Sequence, residues 1–168
     1  MLNYRIYGDL TSQQTPLVVL HGLLGALDNW HTFASRYQLK QPIIAIDMRN
    51  HGLSPHVPVM TYQLMVDDVL ATLQALAIQS CDLMGHSMGG KTAMLLALQH
   101  PNLVKHLVVV DIAPVTYRPR LQTLLQAMNA LPLATLKNRK EADTQLSAVV
   151  DNAFERGFLL KNLVRETD

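Results

Sequence analysis

A serine flanked by glycines is the residue in this sequence with the clearest potential for chemistry. Ser87 lies between Gly85 and Gly89 in a G-x-S-x-G pattern. The apolar run at residues 81–84 predicts a buried strand before it, and residues 93–98 predict a helix after it. A sharp strand-to-helix turn projects the side chain at its apex and needs small neighbours, because strand and helix pass close together. The pattern therefore predicts that Ser87 is a nucleophile for acyl transfer.

The same segment also fits a second motif. Residues 85–92 satisfy G-x-x-x-x-G-K-[ST], the pattern of a loop that surrounds a phosphate, with Lys91 as the phosphate contact. An apolar strand that ends at Asp111 resembles the strand that carries the magnesium-binding aspartate of such proteins. A phosphate loop usually follows the first strand of its domain, however, and three predicted strands precede this one. We therefore favour acyl transfer on Ser87 and keep nucleotide binding as the less favoured alternative.

Length, charge and cysteine content limit the functional classes. The chain has 168 residues, of which 49% are hydrophobic, so it is long enough to bury one core. Its formal net charge is +1 without a long run of Lys or Arg, which argues against a nucleic-acid partner. The single cysteine, Cys81, fits a reducing compartment, and residues 1–10 lack the pattern of a signal peptide. The longest apolar stretch, residues 17–27, is too short to span a membrane, so we expect a cytoplasmic protein without a membrane partner.

Strand and helix patterns alternate along the first two-thirds of the chain. Residues 2–7 alternate loosely and predict an edge strand, and short apolar runs that predict buried strands lie at residues 17–20, 43–46, 81–84 and 104–110. Such alternation predicts the α/β fold class, with a mostly parallel sheet and helices on both faces. The carboxyl ends of parallel strands meet at one edge of the sheet, where such proteins have their sites. Four polar residues that each follow a predicted strand are therefore expected along this edge: His21, Asp47, Ser87 and Asp111.

A glycine-rich loop at this edge could stabilise negative charge. Acyl transfer needs two N–H donors aimed at the oxyanion, one from the residue after the nucleophile, which is Met88 here. The other comes from a loop after an earlier strand. That loop begins with His21 and Gly22, so we assign the second donor to the Leu23 N–H and expect His21 to hold the loop in shape.

Four ordered segments carry a family resemblance: HGLLG, DMRNHGLS, GHSMGGK and VVVDIAPV. They resemble the α/β-hydrolase superfamily and, within it, the YbfF-type bacterial esterases. The resemblance implies an incomplete α/β-hydrolase core over residues 1–115, followed by the start of a helical cap over residues 116–168. It implies Ser87 as the nucleophile, the same two oxyanion donors, and Asp111 as the acid of the catalytic triad. It also implies hydrolysis of small-molecule carboxylic esters without a metal or an organic cofactor.

The cap segment has its own helical signals. Pro119 suits a first helical position, and an apolar stripe follows at helical spacing: Leu121, Leu124, Leu125 and Met128. Residues 139–150 and 154–165 also predict amphipathic helices. A cap of this kind would line an acyl pocket, because Leu and Met side chains adapt to flexible apolar chains.

The sequence departs from the family pattern in its histidines. The triad of the family runs in the order Ser, Asp, His, but none of the seven histidines (21, 31, 51, 56, 86, 100 and 106) follows Asp111. Complete domains of this class commonly run to roughly 200–250 residues, so we expect the catalytic base and two further strands to lie outside this chain. We give His51 and His56 little weight as a substitute base. We expect His86 to pack, because side chains adjacent on a turn diverge.

Two consequences of an incomplete core stay open. An exposed sheet edge invites self-association, because its backbone groups lack partners. The chain could also act as a non-catalytic binding or interaction module of hydrolase ancestry, which stands as the alternative to an esterase. In the turn after the third strand, we expect Asp47 and Arg49 to form a structural pair.

Overall fold

The computed structural model describes residues 1–117 and 122–165. The chain divides into two compact units, Met1–Pro114 and Val115–Asp168. The first unit contains alternating strands and helices, and the second contains short helices joined by turns. That the second unit acts as a cap stays a prediction.

Five strands and three α-helices form the first unit. The strands are β1 (Tyr4–Tyr7), β2 (Leu17–Leu20), β3 (Ile43–Ile46), β4 (Cys81–His86) and β5 (Val104–Val110). The α-helices are α1 (His31–Tyr37), α2 (Tyr62–Ala75) and α3 (Met88–Gln99), and a 3-10 helix at Leu27–Trp30 precedes α1. The Thr61 side chain caps α2 by accepting a hydrogen bond from the Leu64 N–H.

The strands form one sheet in the order β1-β3-β2-β4-β5. β1 pairs with β3 in the antiparallel direction, and the other three pairings are parallel. The carboxyl ends of β2, β3, β4 and β5 therefore meet at one edge of the sheet. The mostly parallel α/β architecture predicted from the sequence is confirmed.

Helices cover both faces of this sheet. Alternate residues of the central strands point to opposite sides, because side chains of a strand alternate between its two faces. One face of the sheet packs against α2 and α3. This half of the core contains Val18, Leu20, Ile44 and Ile46 from the strands and Val66, Leu73 and Leu96 from the helices. The other packs against the 3-10 helix and α1 and contains Val19, Ile43, Ala45, Leu27, Ala34 and Met84. The continuous apolar runs in β2 and β3 are thus strands buried on both sides.

The second unit contains α4 (Gln122–Asn129), α5 (Arg139–Leu146), α6 (Ala153–Leu159) and a 3-10 helix at Leu160–Asn162. Asn138 and Asn152 cap α5 and α6, since their side-chain oxygens accept backbone N–H groups of the first turn. All three helices predicted in this part are present, and the two predicted at residues 139–150 and 154–165 end earlier than the apolar pattern suggests. The predicted helix start at Pro119 and the first residue of the apolar stripe, Leu121, lie outside the described residues.

Candidate active site

Ser87 stands at the apex of a sharp strand-to-helix turn. It is the single residue between β4, which ends at His86, and α3, which begins at Met88. Its backbone has φ 51° and ψ −113°, a positive-φ conformation that residues with a side chain rarely adopt. The Ser87 N–H donates to Val110 O at 3.0 Å, which ties the turn to the end of β5. A half-buried serine is thereby held in a strained conformation at the carboxyl edge of the sheet.

Two glycines allow strand and helix to approach each other around Ser87. A Cβ atom at Gly85 would overlap the carbonyl oxygen of Gly89. A Cβ atom at Gly89 would lie 2.5 Å from His21 O and 2.6 Å from Leu20 O, although real Cβ atoms essentially never come within 3.0 Å of such atoms. Only glycine therefore fits at either position, and Gly89 is the point where α3 contacts the end of β2.

The loop after β2 packs against the same turn. A Cβ atom at Gly22 would lie 3.3 Å from Ser87 Cβ and 2.8 Å from His86 Nδ1, so the loop backbone runs beside the serine. The half-buried Leu23 follows, and its N–H donates no hydrogen bond within residues 1–117 and 122–165. Met88 is the first residue of α3, where N–H groups have no carbonyl partner inside the helix. The backbone segments that carry Leu23 and Met88 thus converge on one serine.

His21 holds this loop through both ring nitrogens. Its Nδ1–H donates to Gly22 O at 2.8 Å, and its Nε2 accepts the Met48 N–H at 3.0 Å. A backbone N–H can only donate, so the ring must be the neutral tautomer that carries its proton on Nδ1. Burial lowers the pKa of His21 to about 4, which keeps the imidazole neutral at pH 7. This histidine therefore connects the loop after β2 to the turn after β3.

His51 holds the next residue of the loop in the same way. Its Nε2 accepts the Leu24 N–H at 3.0 Å, and its Nδ1–H donates to Arg49 O at 2.9 Å. Burial also lowers the pKa of His51. The sequence analysis missed this supporting role. A usable signal exists, because both histidines stand directly before a glycine: His21-Gly22 and His51-Gly52.

Asp47 organises the turn after β3. This buried carboxylate accepts hydrogen bonds from the Leu27 N–H at 2.7 Å, the Asn3 Nδ2 at 2.7 Å and the Leu53 N–H at 3.0 Å. A Cβ atom at Gly52 would overlap the same carboxylate. Asp47 therefore joins the turn to the start of the chain and to the 3-10 helix.

Arg49 does not pair with Asp47, so that prediction is wrong. Arg49 instead binds Asp68 of α2, with Nε 2.6 Å from Oδ2 and Nη2 3.0 Å from Oδ1, and its Nη1 donates to Val59 O at 2.8 Å. The reason is that backbone and amide donors already occupy Asp47. The forked guanidinium meets a carboxylate 19 residues away, a pairing that the local spacing does not reveal.

Asp111 directly follows β5 and has a φ of 55°. Its side chain is 86% exposed, and its Oδ2 lies 3.7 Å from His86 Nε2. The His86 side chain is itself 42% exposed. The packing role predicted for His86 does not account for this contact, which places a histidine between the loop after β2 and the predicted acid.

Four of the other histidine rings have partners away from Ser87. His21 and His51 use both nitrogens in the contacts described above. His31 Nδ1 lies 3.1 Å from the Tyr7 hydroxyl, and His106 Nδ1 lies 2.7 Å from Asp82 Oδ1 near the start of β4. The structure therefore brings together the predicted nucleophile, the donor-bearing loops and the support residues, while the predicted acid contacts His86.

Comparisons with known proteins identify the family. A family model described as "alpha/beta hydrolase fold" matches residues 15–165, which is most of the chain. The chain belongs to the α/β hydrolase family. This result confirms the resemblance found in the sequence.

Several relatives of this α/β hydrolase have names that state an activity. The chain is 45% identical to "sn-1-specific diacylglycerol lipase ABHD11" of Xenopus laevis, over 98% of this chain and 55% of that protein. It is 39% identical to "Esterase YbfF" of Escherichia coli K12, over 89% of this chain and 59% of that protein. The solved structure titled "Marine microorganism esterase" superposes with a TM-score of 0.90 at 40% identity, covering 96% of this chain and 63% of that chain. The α/β hydrolase chain thus spans just over half the length of the curated relatives it matches.

The geometry of this α/β hydrolase disfavours a phosphate-binding loop at residues 85–92. Such a loop needs several residues between strand and helix to surround a phosphate. Here only Ser87 separates β4 from α3, and Lys91 already belongs to the first turn of the helix. Within the described parts of the chain, no three His, Cys, Asp or Glu side chains are grouped to hold a metal ion. No helix of those parts has the length and apolar character needed to cross a membrane.

Proposed function

We propose that this chain is the nucleophile-bearing part of a serine carboxylic ester hydrolase. The observation that carries the proposal is the strained position of Ser87, against which the loop after β2 packs. The φ of 51° at Ser87 is combined with a ψ of −113°, which lies outside the left-handed helical region, and sparsely populated conformations of this kind cost about 1–3 kcal/mol and concentrate at functional sites.

Each residue of the candidate site has one role in the proposed reaction. The Ser87 hydroxyl oxygen attacks the ester carbonyl and forms an acyl-enzyme, which water then hydrolyses. The N–H groups of Leu23 and Met88 stabilise the oxyanion, helped by the positive end of the α3 dipole beside Ser87. Asp111 orients the imidazole that removes the serine proton. We propose that this imidazole comes from polypeptide outside residues 1–168, because no histidine follows Asp111 in the sequence and His21 and His51 already use both ring nitrogens.

The substrate class follows from the chemistry of the relatives. Proteins named as an esterase and as a diacylglycerol lipase share 39% and 45% identity with this chain. We therefore propose a small-molecule carboxylic ester as substrate. The mechanism needs no metal or organic cofactor. A cytoplasmic location stays a prediction that rests on the single, buried thiol of Cys81.

The experiment uses the complete gene product, which is the whole polypeptide encoded by the gene that contains this sequence. Hydrolysis of p-nitrophenyl butyrate is measured for this protein, for Ser87→Ala, and for Ser35→Ala on α1 as the matched control. We expect Ser87→Ala to lower kcat by about 10⁴-fold or more, because the hydroxyl forms the covalent bond. Ser35→Ala should stay within about twofold, because Ser35 lies on α1, away from the turn at Ser87. Full activity of Ser87→Ala would refute the proposal.

The alternative is a non-catalytic binding module, which one observation favours. No histidine follows Asp111 in the sequence, so the chain by itself lacks a base in the expected order. The same assay separates the two functions. A complete gene product that folds but has no turnover, and whose Ser87 does not react with a fluorophosphonate, would support the binding module.

The nucleotide-binding alternative can be tested by thermal denaturation. A thermal shift with Mg-ATP that disappears in Lys91→Ala would support it, because a ligand that binds the folded state raises Tm. We expect no shift, since the turn at Ser87 leaves no loop to surround a phosphate.

A further inference from the structure

His86 occupies a position that the proposed reaction has not used. It ends β4 and directly precedes the nucleophile Ser87. Its Nδ1 faces the loop after β2, 2.8 Å from where a Cβ atom at Gly22 would lie. Its Nε2 faces the other way, 3.7 Å from Asp111 Oδ2. The imidazole thus bridges the space between the oxyanion loop and the predicted acid.

As the acid of a triad, Asp111 needs a neighbouring group that fixes the orientation of its carboxylate. Within the described part of the chain its carboxylate is 86% exposed, and His86 Nε2 lies 3.7 Å from its Oδ2, just beyond hydrogen-bond distance. An exposed carboxylate without a fixed donor samples several rotamers, whereas a triad acid must hold one oxygen towards its imidazole. A carboxylate has two oxygens and can accept from two partners at once.

We propose that His86 is a positioning residue for Asp111. A small rotation of the exposed carboxylate would bring Oδ2 from 3.7 Å to hydrogen-bond distance of Nε2, so that the other carboxylate oxygen stays directed at the imidazole that serves as base. This inference rests on the proposed esterase function and adds a residue to it. It also gives a second reason for glycine at position 22, because a side chain there would displace the His86 ring.

The charged and titratable groups around His86 come from two neighbouring strands. Asp111 faces it from the end of β5. His21 lies at the end of β2, and a positive charge on His86 contributes to lowering the pKa of His21.

A double-mutant cycle in the complete gene product tests the inference. The variants are His86→Leu, His86→Gln, Asp111→Asn and the double variant His86→Leu/Asp111→Asn, with Ser87→Ala giving the background rate. We expect His86→Leu to lower kcat about 5- to 20-fold with KM within about twofold, as loss of an orienting contact does. In the Asp111→Asn protein the same substitution should change kcat by less than about twofold, because the group that His86 positions is already gone.

The choice of replacement separates positioning from packing. Glutamine places its amide nitrogen near the position of Nε2, so His86→Gln should retain kcat within about threefold of the wild type. Asparagine reaches only as far as Nδ1, so His86→Asn should resemble His86→Leu. If His86→Leu does not fold, as judged by circular dichroism, the contrast between Gln and Asn still decides the question.

Two results would overturn the inference. Equal losses from His86→Leu in the wild-type and Asp111→Asn proteins would show that His86 acts on packing rather than through Asp111. Equal rates for the Gln and Asn variants would show that no donor at the Nε2 position is needed. Either result leaves the proposed function intact as long as Ser87→Ala abolishes turnover, and activity of Ser87→Ala would instead remove the proposed function itself.

Discussion

Gly89→Ala is the substitution that most directly probes how the fold builds the candidate site. Gly89 lies in the first turn of α3, against the end of β2. An added Cβ would meet His21 O at 2.5 Å and Leu20 O at 2.6 Å. Both obstacles are backbone atoms at the end of a strand that pairs with β3 on one side and β4 on the other, so neither can rotate away.

The size of the effect follows from this overlap. Ordinary contact begins at 3.4 Å, so helix and strand would have to separate by about 0.9 Å. Overpacking a well-packed interior typically costs about 1–3 kcal/mol and occasionally more. Because the obstacle is backbone rather than a flexible side chain, we expect Gly89→Ala to lower the free energy of unfolding by about 3 kcal/mol. The same shift would move the Leu23 N–H away from Ser87 and weaken the proposed oxyanion site.

Urea denaturation followed by circular dichroism measures the effect, and Gly157→Ala provides the matched control. Gly157 lies inside α6, and a Cβ atom there would have no atom within 4 Å. Alanine is favoured over glycine in a helix interior by about 0.5–1 kcal/mol, so this variant should be neutral or more stable. Gly89→Ala with wild-type stability would contradict the close contact between α3 and β2.

Three further predictions concern protonation, an ion pair and the sheet edge. Folding lowers the pKa of His21 from the ordinary value of 6.5 to about 4. As the pH falls, His21 is therefore protonated in the unfolded chain before it is protonated in the folded protein, and this favours unfolding. Urea titrations should show the free energy of unfolding falling by up to about 3 kcal/mol between pH 6.5 and pH 4, and His21→Gln should flatten this dependence. Asp68→Asn should cost about 1–2 kcal/mol in the same assay, because it breaks the two-pronged contact with Arg49, and an unchanged midpoint would argue against that ion pair. β5 is an edge strand of the sheet, and its residue Val108 is 49% exposed. Sedimentation velocity should therefore detect self-association of residues 1–168. Val108→Lys should reduce this self-association, whereas the control Val59→Lys, at a position that is 58% exposed, should not.

The strands and the serine turn could be predicted because their signals are local. The runs Leu17–Leu20 and Ile43–Ile46 consist of apolar residues only, as strands buried on both faces require. The turn at Ser87 carries its own glycines at the positions where strand and helix cross.

The partners of several polar residues could not be predicted, because they are distant in the sequence. Arg49 binds Asp68 on the next helix, and the Leu24 N–H binds His51 at the end of another strand. No periodic pattern encodes such pairings, since they depend on which elements become neighbours in the sheet. The end of α5 was mispredicted for a different reason. Val150 is buried but lies in the turn after the helix, and an apolar period cannot distinguish the two.

Covalent labelling of Ser87 tests the central claim most directly. The complete gene product is treated with a fluorophosphonate, digested, and examined by mass spectrometry, with Ser87→Ala and heat-denatured protein as controls. We predict one adduct per folded molecule on the peptide that contains Ser87, and none in either control, because only an activated serine reacts with such a probe. A folded protein that stays unlabelled, or that carries its adduct on another residue, would contradict the assignment of Ser87 as the nucleophile.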